Sequence, residues 1–427
     1  MPDALVDHGS ASPTRTAQAS LRDPAIIAEP WAFYAALQAQ GGVARDPDTG
    51  VWIVANYALI QDVLRDNEAF SAQVDRPSLR PGGLPARARA ILDSTVVFTP
   101  TLVGADPPTH TRLRPLVNAV FSAHKVEALA PGIDAIVHDL LQAIGDHGAC
   151  DFVRAFAAPL PLTVIADQLG LDRADIWLLK DWSDAFIQIL GLMGDDDTLI
   201  AAAERQRDAI VFLLAEAERR RAAPNGSLLS DLANARTEEG GYLRDEELVS
   251  ILVQLMVAGN ETTTNTLSAG LLRLCLTPGL QESVRDGSDR ALRTFVEEVL
   301  RAESPVQGHY RRALRDVEIG GAAIQAGDIV HLRYGAANRD PVMFPDPAQI
   351  DVARANAGQH MAFGGGIHFC VGAMLARKEL FIAFRRCLAR WDAIALDCPP
   401  EALQRVASAQ HRGLVELPLR FTVRNQE

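Results

Sequence analysis

The sequence predicts a mainly α protein with small β-sheets, built as one large domain around a long buried central helix. Three observations lead there. From His110 to about Arg221, Leu, Val, Ile and Ala recur at three- and four-residue spacing, the period of helices that bury one face. A longer run opens at Asp245-Glu246-Glu247, acids suited to a helix N-terminus. It continues through Leu248, Leu252, Leu255, Leu267 and Leu271 towards Pro278, apolar on nearly every side. β-prone runs are short and marginal, at 43–54, 317–332 and beyond Ala393.

The elements follow in order from local chemistry. Residues 1–24, rich in Ser, Ala, Thr and Asp without periodicity, read as a flexible amino-terminal arm. Residues 25–427 show no repeat, low-complexity tract or composition break and read as a single domain. Pro30 opens a helix carrying Trp31, Phe33, Tyr34 and Leu37, and Gly41-Gly42 stop it. Residues 43–45 and 51–54 flank the turn-rich Asp46-Pro47-Asp48-Thr49-Gly50, a hairpin at a sheet edge. Pro77, Pro81, Gly82, Gly83 and Pro85 make 74–85 the most loop-like interior stretch, of the kind that forms functional lids. Helix breaks are expected near Pro159-Leu160-Pro161, across 191–197 and across 222–227.

Composition removes whole classes of function. A hydrophobic fraction of 48% with 22% charged residues excludes wholesale disorder. Forty-one Lys+Arg against 54 Asp+Glu leave a net charge of −13, which repels nucleic acids and anionic membrane surfaces. The 5 cysteines are odd in number, scattered and without a CxxC pair, as in a reducing compartment. No signal peptide and no apolar run of membrane-spanning length is readable, so a cytoplasmic, soluble protein is expected.

The sharpest feature is Phe363-Gly364-Gly365-Gly366-Ile367-His368-Phe369-Cys370-Val371-Gly372, followed by the helix-like stretch from Ala373 to Arg390. A thiol where a glycine-rich loop enters a helix is stabilised as thiolate by backbone N–H groups and the helix dipole, and the glycines let a flat partner approach the backbone. A cysteine taken alone is more often an inert buried thiol. Here its glycine and histidine setting favours a soft metal ligand. One thiol cannot build a tetrahedral zinc site, but it suffices as the axial ligand of haem iron.

At these residues the chain resembles the cytochrome P450 family of haem-thiolate monooxygenases, whose signature is matched by Phe363, Gly364, Gly366, His368, Cys370 and Gly372. The resemblance, of the soluble bacterial type, covers about residues 30–421. It implies the P450 fold, with the central helix over haem b and Cys370 as the iron ligand. In Ala258-Gly259-Asn260-Glu261-Thr262-Thr263, Ala258 and Gly259 are placed against the haem. An acid beside an alcohol can relay protons for O2 activation while the helix opens at Gly259, a role assigned to Glu261 and Thr262. The plain alternative is threonine hydroxyls bonding back to the preceding turn. Glu298 and Arg301 match the family's buried Glu-x-x-Arg pair, with Arg354 as third partner, and are assigned to folding and haem retention. His110, Arg114, Arg311 and His368 match positions that would supply cations to the two haem propionates.

The resemblance further implies a lipophilic substrate of terpenoid, steroid or aromatic kind and electrons from a ferredoxin and its reductase. Arg112, Arg377, Lys378, Arg385 and Arg386 are candidates for the docking face on the thiolate side. The substrate pocket is expected from the loop around Leu79 to Ile91 and from Phe186, Ile189, Leu190, Gln254, Leu255, Val306, Gln307, Ser408 and Ala409. Arg76, Arg80, Arg87 and Arg89 read as an exposed basic loop rather than as partners of a substrate carboxylate. A peroxide-driven haem enzyme would not need the Glu261-Thr262 pair, and neither would a non-catalytic haem sensor.

Overall fold

The computed structural model describes residues 19–424 except 81, 97, 147, 192–193 and 238–239. Residues 1–18 of the expected arm, and Pro81 of the expected loop, lie outside them. The rest of the arm is tied down, against expectation. Leu21 is buried, and its N–H donates to the Asp46 carboxylate at 2.8 Å, as does the Ser20 hydroxyl at 3.2 Å. Asp46 also accepts from the N–H groups of Asp48 and Thr49, so one buried side chain shapes its own turn and pins the chain start.

The architecture is helical with marginal sheets, as expected. β1 (Val43–Arg45) and β2 (Trp52–Val54) form the edge hairpin. β3 (Phe70–Ser71), β5 (His309–Ala313) and β8 (Ile329–Leu332) complete a five-stranded sheet in the order β1-β2-β8-β5-β3. A second sheet orders β4 (Ala149–Asp151), β10 (Pro418–Val423) and β9 (Trp391–Leu396), and β6 (Val317–Ile319) pairs with β7 (Ala322–Ile324). The break foreseen at Pro159 is a helix start: a π-helical turn over Val153–Ala157 runs into the helix Pro159–Leu169, whose first-turn proline lacks no needed donor.

The central helix spans Asp245–Leu276. Its start is closed by the Glu247 carboxylate, which accepts from the Arg244 backbone N–H at 3.3 Å. Its first half, with Leu248, Leu252 and Met256, packs into one hydrophobic core with the helices Pro159–Leu169, Ile176–Leu190 and Asp196–Ala222. Its last turns, with Leu267, Leu271 and Leu274, enter another with Ala123–Ile144, Asp289–Glu303 and Ala373–Arg390. Gly270 is where the central helix and Ala373–Arg390 cross: a Cβ there would stand 2.3 Å from the Phe384 ring. Between the two cores, Val257 to Thr266 holds the polar residues and faces a cavity.

Candidate functional site

The cavity, of about 320 Å³, has the cysteine loop as its floor and the central helix as its roof. Cys370 lines it at the entrance to the helix Ala373–Arg390, and its backbone N–H donates to the Phe363 carbonyl at 2.9 Å, which closes the loop on itself. Gly366 has φ +61°, and a Cβ there would stand 2.3 Å from the Leu64 carbonyl oxygen, so the loop seats directly on the helix Tyr57–Arg65. Burial pushes the Cys370 thiol up, against the pull of the Gly372 and Ala373 N–H groups and of Arg114 and Arg377. The N–H groups at the helix entrance favour the thiolate, as expected, but burial outweighs them. A coordinated metal ion would restore it, because it deprotonates a ligating thiol outright.

One edge of the floor carries nitrogen donors without partners. His110 Nε2 and His368 Nδ1 are buried and unbonded, and the two rings meet edge-on at 4.8 Å. Arg114 lines the cavity, its guanidinium anchored by Asn118 Oδ1 at 2.8 Å and by the Phe369 carbonyl at 2.6 Å. Arg311 is buried and Arg312 exposed on β5, which decides between these neighbours. The four sequence candidates thus converge. Their charges differ from expectation: burial and the neighbouring Arg311 and His110 push His368 down to about 3, and burial with Arg114 lowers His110. The histidines are neutral donors and only the arginines are cations. Two guanidiniums and two orphaned imidazoles, His368 on the cavity wall with His110 behind it, fit a porphyrin bearing two carboxylates.

On the roof, Ala258, Gly259 and Thr262 line the cavity. The helix is continuous through Gly259, so the expected opening is not formed; the Thr262 hydroxyl instead donates to the Ala258 carbonyl at 2.9 Å. Glu261 does not share the cavity face, since adjacent helical residues point about 100° apart. It is buried, bonds Lys180 Nζ at 2.9 Å, and Lys180 also pairs with Asp184. Burial raises the Glu261 carboxyl, with Lys180 opposing. The acid and the alcohol are therefore not side by side, as the sequence reading had them.

The walls correct several pocket assignments. Phe186, Leu190, Gln254, Leu255, Ala258 and Val306 do line the cavity. Leu79 sits in a short 3-10 turn away from it, and Ile189 packs against Leu199 and Ala202 behind the wall. Gln307 accepts from the Tyr34 hydroxyl at 2.8 Å and donates to the Ser304 carbonyl at 2.6 Å, a structural tie. Ser408 caps its own turn, accepting from the His411 N–H at 3.1 Å. Arg76, read as part of an exposed loop, lines the cavity with His309, Gln410 and His411. The other three do not line it: Arg80, half-buried, pairs with Asp196, exposed Arg87 pairs with Glu204, and Arg89 is exposed.

Sequence reasoning missed these polar wall residues and Glu379. His309 could have been found, because it lies two positions from Arg311 on a strand and so shares its face. Glu379 interrupts the buried stripe of Leu375, Leu380 and Ala383; it lines the cavity, its Oε2 has no partner, and burial pushes it up to about 8. Arg76 lies in irregular chain, where no period marks a face.

Glu298 and Arg301 are fully buried, with Arg301 Nε 2.6 Å from Glu298 Oε1 and Arg354 Nε 3.0 Å from Glu298 Oε2. The docking candidates are all engaged with acids of their own chain: Arg112 with Glu247, Arg377 with Glu297, Lys378 with Glu127, Arg385 with Asp289 and Arg386 with Asp134. A ferredoxin would meet paired charges there, not free ones. Beside them Phe369 and Met374 are exposed at 45% and 47%. Among the described residues no helix is long and apolar enough to cross a membrane.

Comparison with known proteins agrees with this geometry. The family model Cytochrome P450 matches residues 179–417. The 6-deoxyerythronolide B hydroxylase of Saccharopolyspora erythraea is 36% identical over 373 residues, 87% of this chain and 90% of that protein. The vitamin D(3) 25-hydroxylase of Pseudonocardia autotrophica is 34% identical over 409 residues, covering 95% and 97%. Among solved structures, cytochrome P450 CREJ in complex with (4-ethylphenyl) dihydrogen phosphate superposes with a TM-score of 0.87 at 28% identity, over 95% of this chain and 98% of its own. The tirandamycin C-bound P450 monooxygenase TamI gives 0.82 at 37% identity, over 94% and 99%.

Proposed function

The chain belongs to the cytochrome P450 family, and we propose that this member inserts one oxygen atom of O2 into a lipophilic small molecule of terpenoid, steroid or aromatic kind, with electrons from a ferredoxin and its reductase. It is an oxidoreductase that uses haem b. The observation that carries the reading is the placement of the Cys370 thiol, the Arg114 and Arg311 guanidiniums, the orphaned His368 ring and the Thr262 hydroxyl around one largely apolar cavity, with the orphaned His110 ring against His368.

Haem, held by Cys370 at the iron and by Arg114, Arg311, His110 and His368 at its carboxylates, supplies the oxygen-activating redox chemistry. The protein's residues do the rest. Phe186, Leu190, Leu255 and Val306 hold an apolar substrate and exclude water. The Thr262 hydroxyl, on the roof, hands a proton into the cavity. Glu261 resupplies it from the far side of the helix, by turning away from Lys180 or through a water. That one relative is a 6-deoxyerythronolide B hydroxylase and another a vitamin D(3) 25-hydroxylase supports oxidation of a small organic substrate. Phe369 and Met374 offer the ferredoxin an apolar contact beside Cys370.

The test is the absorption spectrum of the reduced protein with carbon monoxide. A main band far to the red of histidine-ligated haem is expected in the wild type and lost in Cys370→Ser. An unshifted band in the wild type, or an unchanged spectrum in the variant, removes Cys370 as ligand and with it the reading.

A further inference from the structure

Arg76 is a guanidinium in the wrong place for a surface residue. It lines the cavity, and its side-chain hydrogen bond goes to a neutral group, Gln410 Oε1 at 2.8 Å. Among the described residues no carboxylate lies within ion-pair reach of it, whereas Arg80 and Arg87 of the same stretch each have one. Its neighbours on the wall are His309 and His411, the former 3.4 Å from Gln410 Nε2. Burial and the nearby Arg76 push His411 down to about 4, and the same causes, with Arg311, hold His309 well below its usual range. Both are neutral, so neither adds charge nor removes it.

Charge counting then singles Arg76 out. Ferric iron, the porphyrin dianion and one thiolate sum to zero, and the two haem carboxylates are balanced by Arg114 and Arg311. Arg76 is left as an uncompensated cation in a largely apolar cavity, an arrangement that burial penalises unless an anion joins it. Among the described residues no side chain supplies that anion.

Resting on the monooxygenase reading above, we infer that Arg76, with Gln410 and His411, is an anchor for a carboxylate on the substrate, which makes the substrate a lipophilic acid. The fork of Arg76 takes the carboxylate, the Gln410 amide and the His411 ring hydrogen-bond it, and the hydrocarbon body lies along Phe186, Leu190 and Leu255.

The experiment titrates haem-loaded protein with dodecanoic acid, 4-cyclohexylbenzoic acid and abietic acid, each beside its methyl ester, and reads the spin-state shift of the haem band. For at least one pair the wild type is expected to bind the acid about 10- to 100-fold tighter than the ester, the worth of a charge-assisted hydrogen bond. Arg76→Gln should erase that preference while ester affinity and haem content stay, and Arg76→Lys should restore part of it. Absence of any acid preference in the wild type, including no shift with any probe, overturns the inference. So does an acid preference that survives in Arg76→Gln. Loss of haem in Arg76→Gln gives Arg76 to the haem carboxylates and likewise overturns it. The carbon monoxide band reports separately on the haem-thiolate reading, so failure of the anchor and failure of that reading are told apart.

Discussion

Two buried glutamates paired with cations, Glu298 and Glu261, occupy opposite ends of a contrast. Glu298 faces Arg301 with both side chains fully buried, and all N–H donors of Arg301 are spent: on the two Glu298 oxygens and on the carbonyls of Asn338, Pro347 and Gln349. Glu261 faces Lys180, which keeps 21% of its side chain exposed and divides itself between Glu261 and Asp184. An arginine does not give up its proton, and a fully bonded one has nowhere to turn. Lys180, on a flexible stem that still reaches water, can turn between its two acids. The first pair is a lock joining three chain segments, and the second is a connection that can open. What separates structural from functional burial here is the cation and its access to solvent, not the carboxylate.

The contrast can be broken most severely at the lock. Arg301→Ala leaves Glu298 Oε1 and three carbonyls without the donors they have now, with only Arg354 and the Asp351 N–H still on Oε2, and should cost about 3–5 kcal/mol, the loss typical of a broken buried pair. The expected outcome is loss of soluble haem protein, measured as haem content and thermal midpoint. Arg301→Lys should rescue little, because three donors replace five. Retention of a wild-type midpoint in either variant would show the lock to be dispensable.

At the other pair, Glu261→Gln should keep fold, haem and substrate binding yet slow turnover by about 100-fold, the lower range for a lost proton-transfer group. Thr262→Ala should retain binding while reducing equivalents appear as hydrogen peroxide, quantified against product. Fully coupled turnover in Thr262→Ala would remove the hydroxyl from the proton path.

Glu379 sharpens the comparison as a third buried carboxylate, one with no cation partner among the described residues. Its folded value of about 8 lies above the usual 4.5. Both folded and unfolded states are therefore protonated below pH 4.5, and stability is lost as the pH rises towards 8, because only the unfolded chain ionises. Glu379→Gln should be neutral at pH 4.5 and stabilising, by at most on the order of a few kcal/mol, at pH 8. Thermal midpoints of both proteins across that window are the check, and a constant difference would show that Glu379 does not titrate there. The smallest effect is expected at the surface: Arg386→Ala, which breaks an exposed pair with Asp134, should change stability by less than about 1 kcal/mol.

How much was legible depended on whether a residue belonged to a periodic or contiguous pattern. The central helix, the edge hairpin and the helix after Cys370 follow from spacing that repeats within the segment itself. The cysteine loop is contiguous, so its six signature residues arrive together, and Glu298 with Arg301 share one helical turn. Leu79, Ile189, Gln307 and Ser408 were misplaced, because which side of a loop or helix faces the cavity depends on what packs behind it. Arg76 was dismissed for the same reason.

The sequence by itself determined the helical frame, the thiol at a glycine-rich loop and the candidate donors around it, since these rest on local spacing and on residue chemistry that no partner can alter. Only the tertiary structure decided their states. Burial kept the Cys370 thiol up and the two histidines neutral, turned Glu261 towards Lys180 and away from Thr262, matched the surface arginines with acids far along the chain, and left Arg76 without one. Charge and protonation depend on which groups lie within a few ångströms and how much water remains, and those are properties of the folded chain alone.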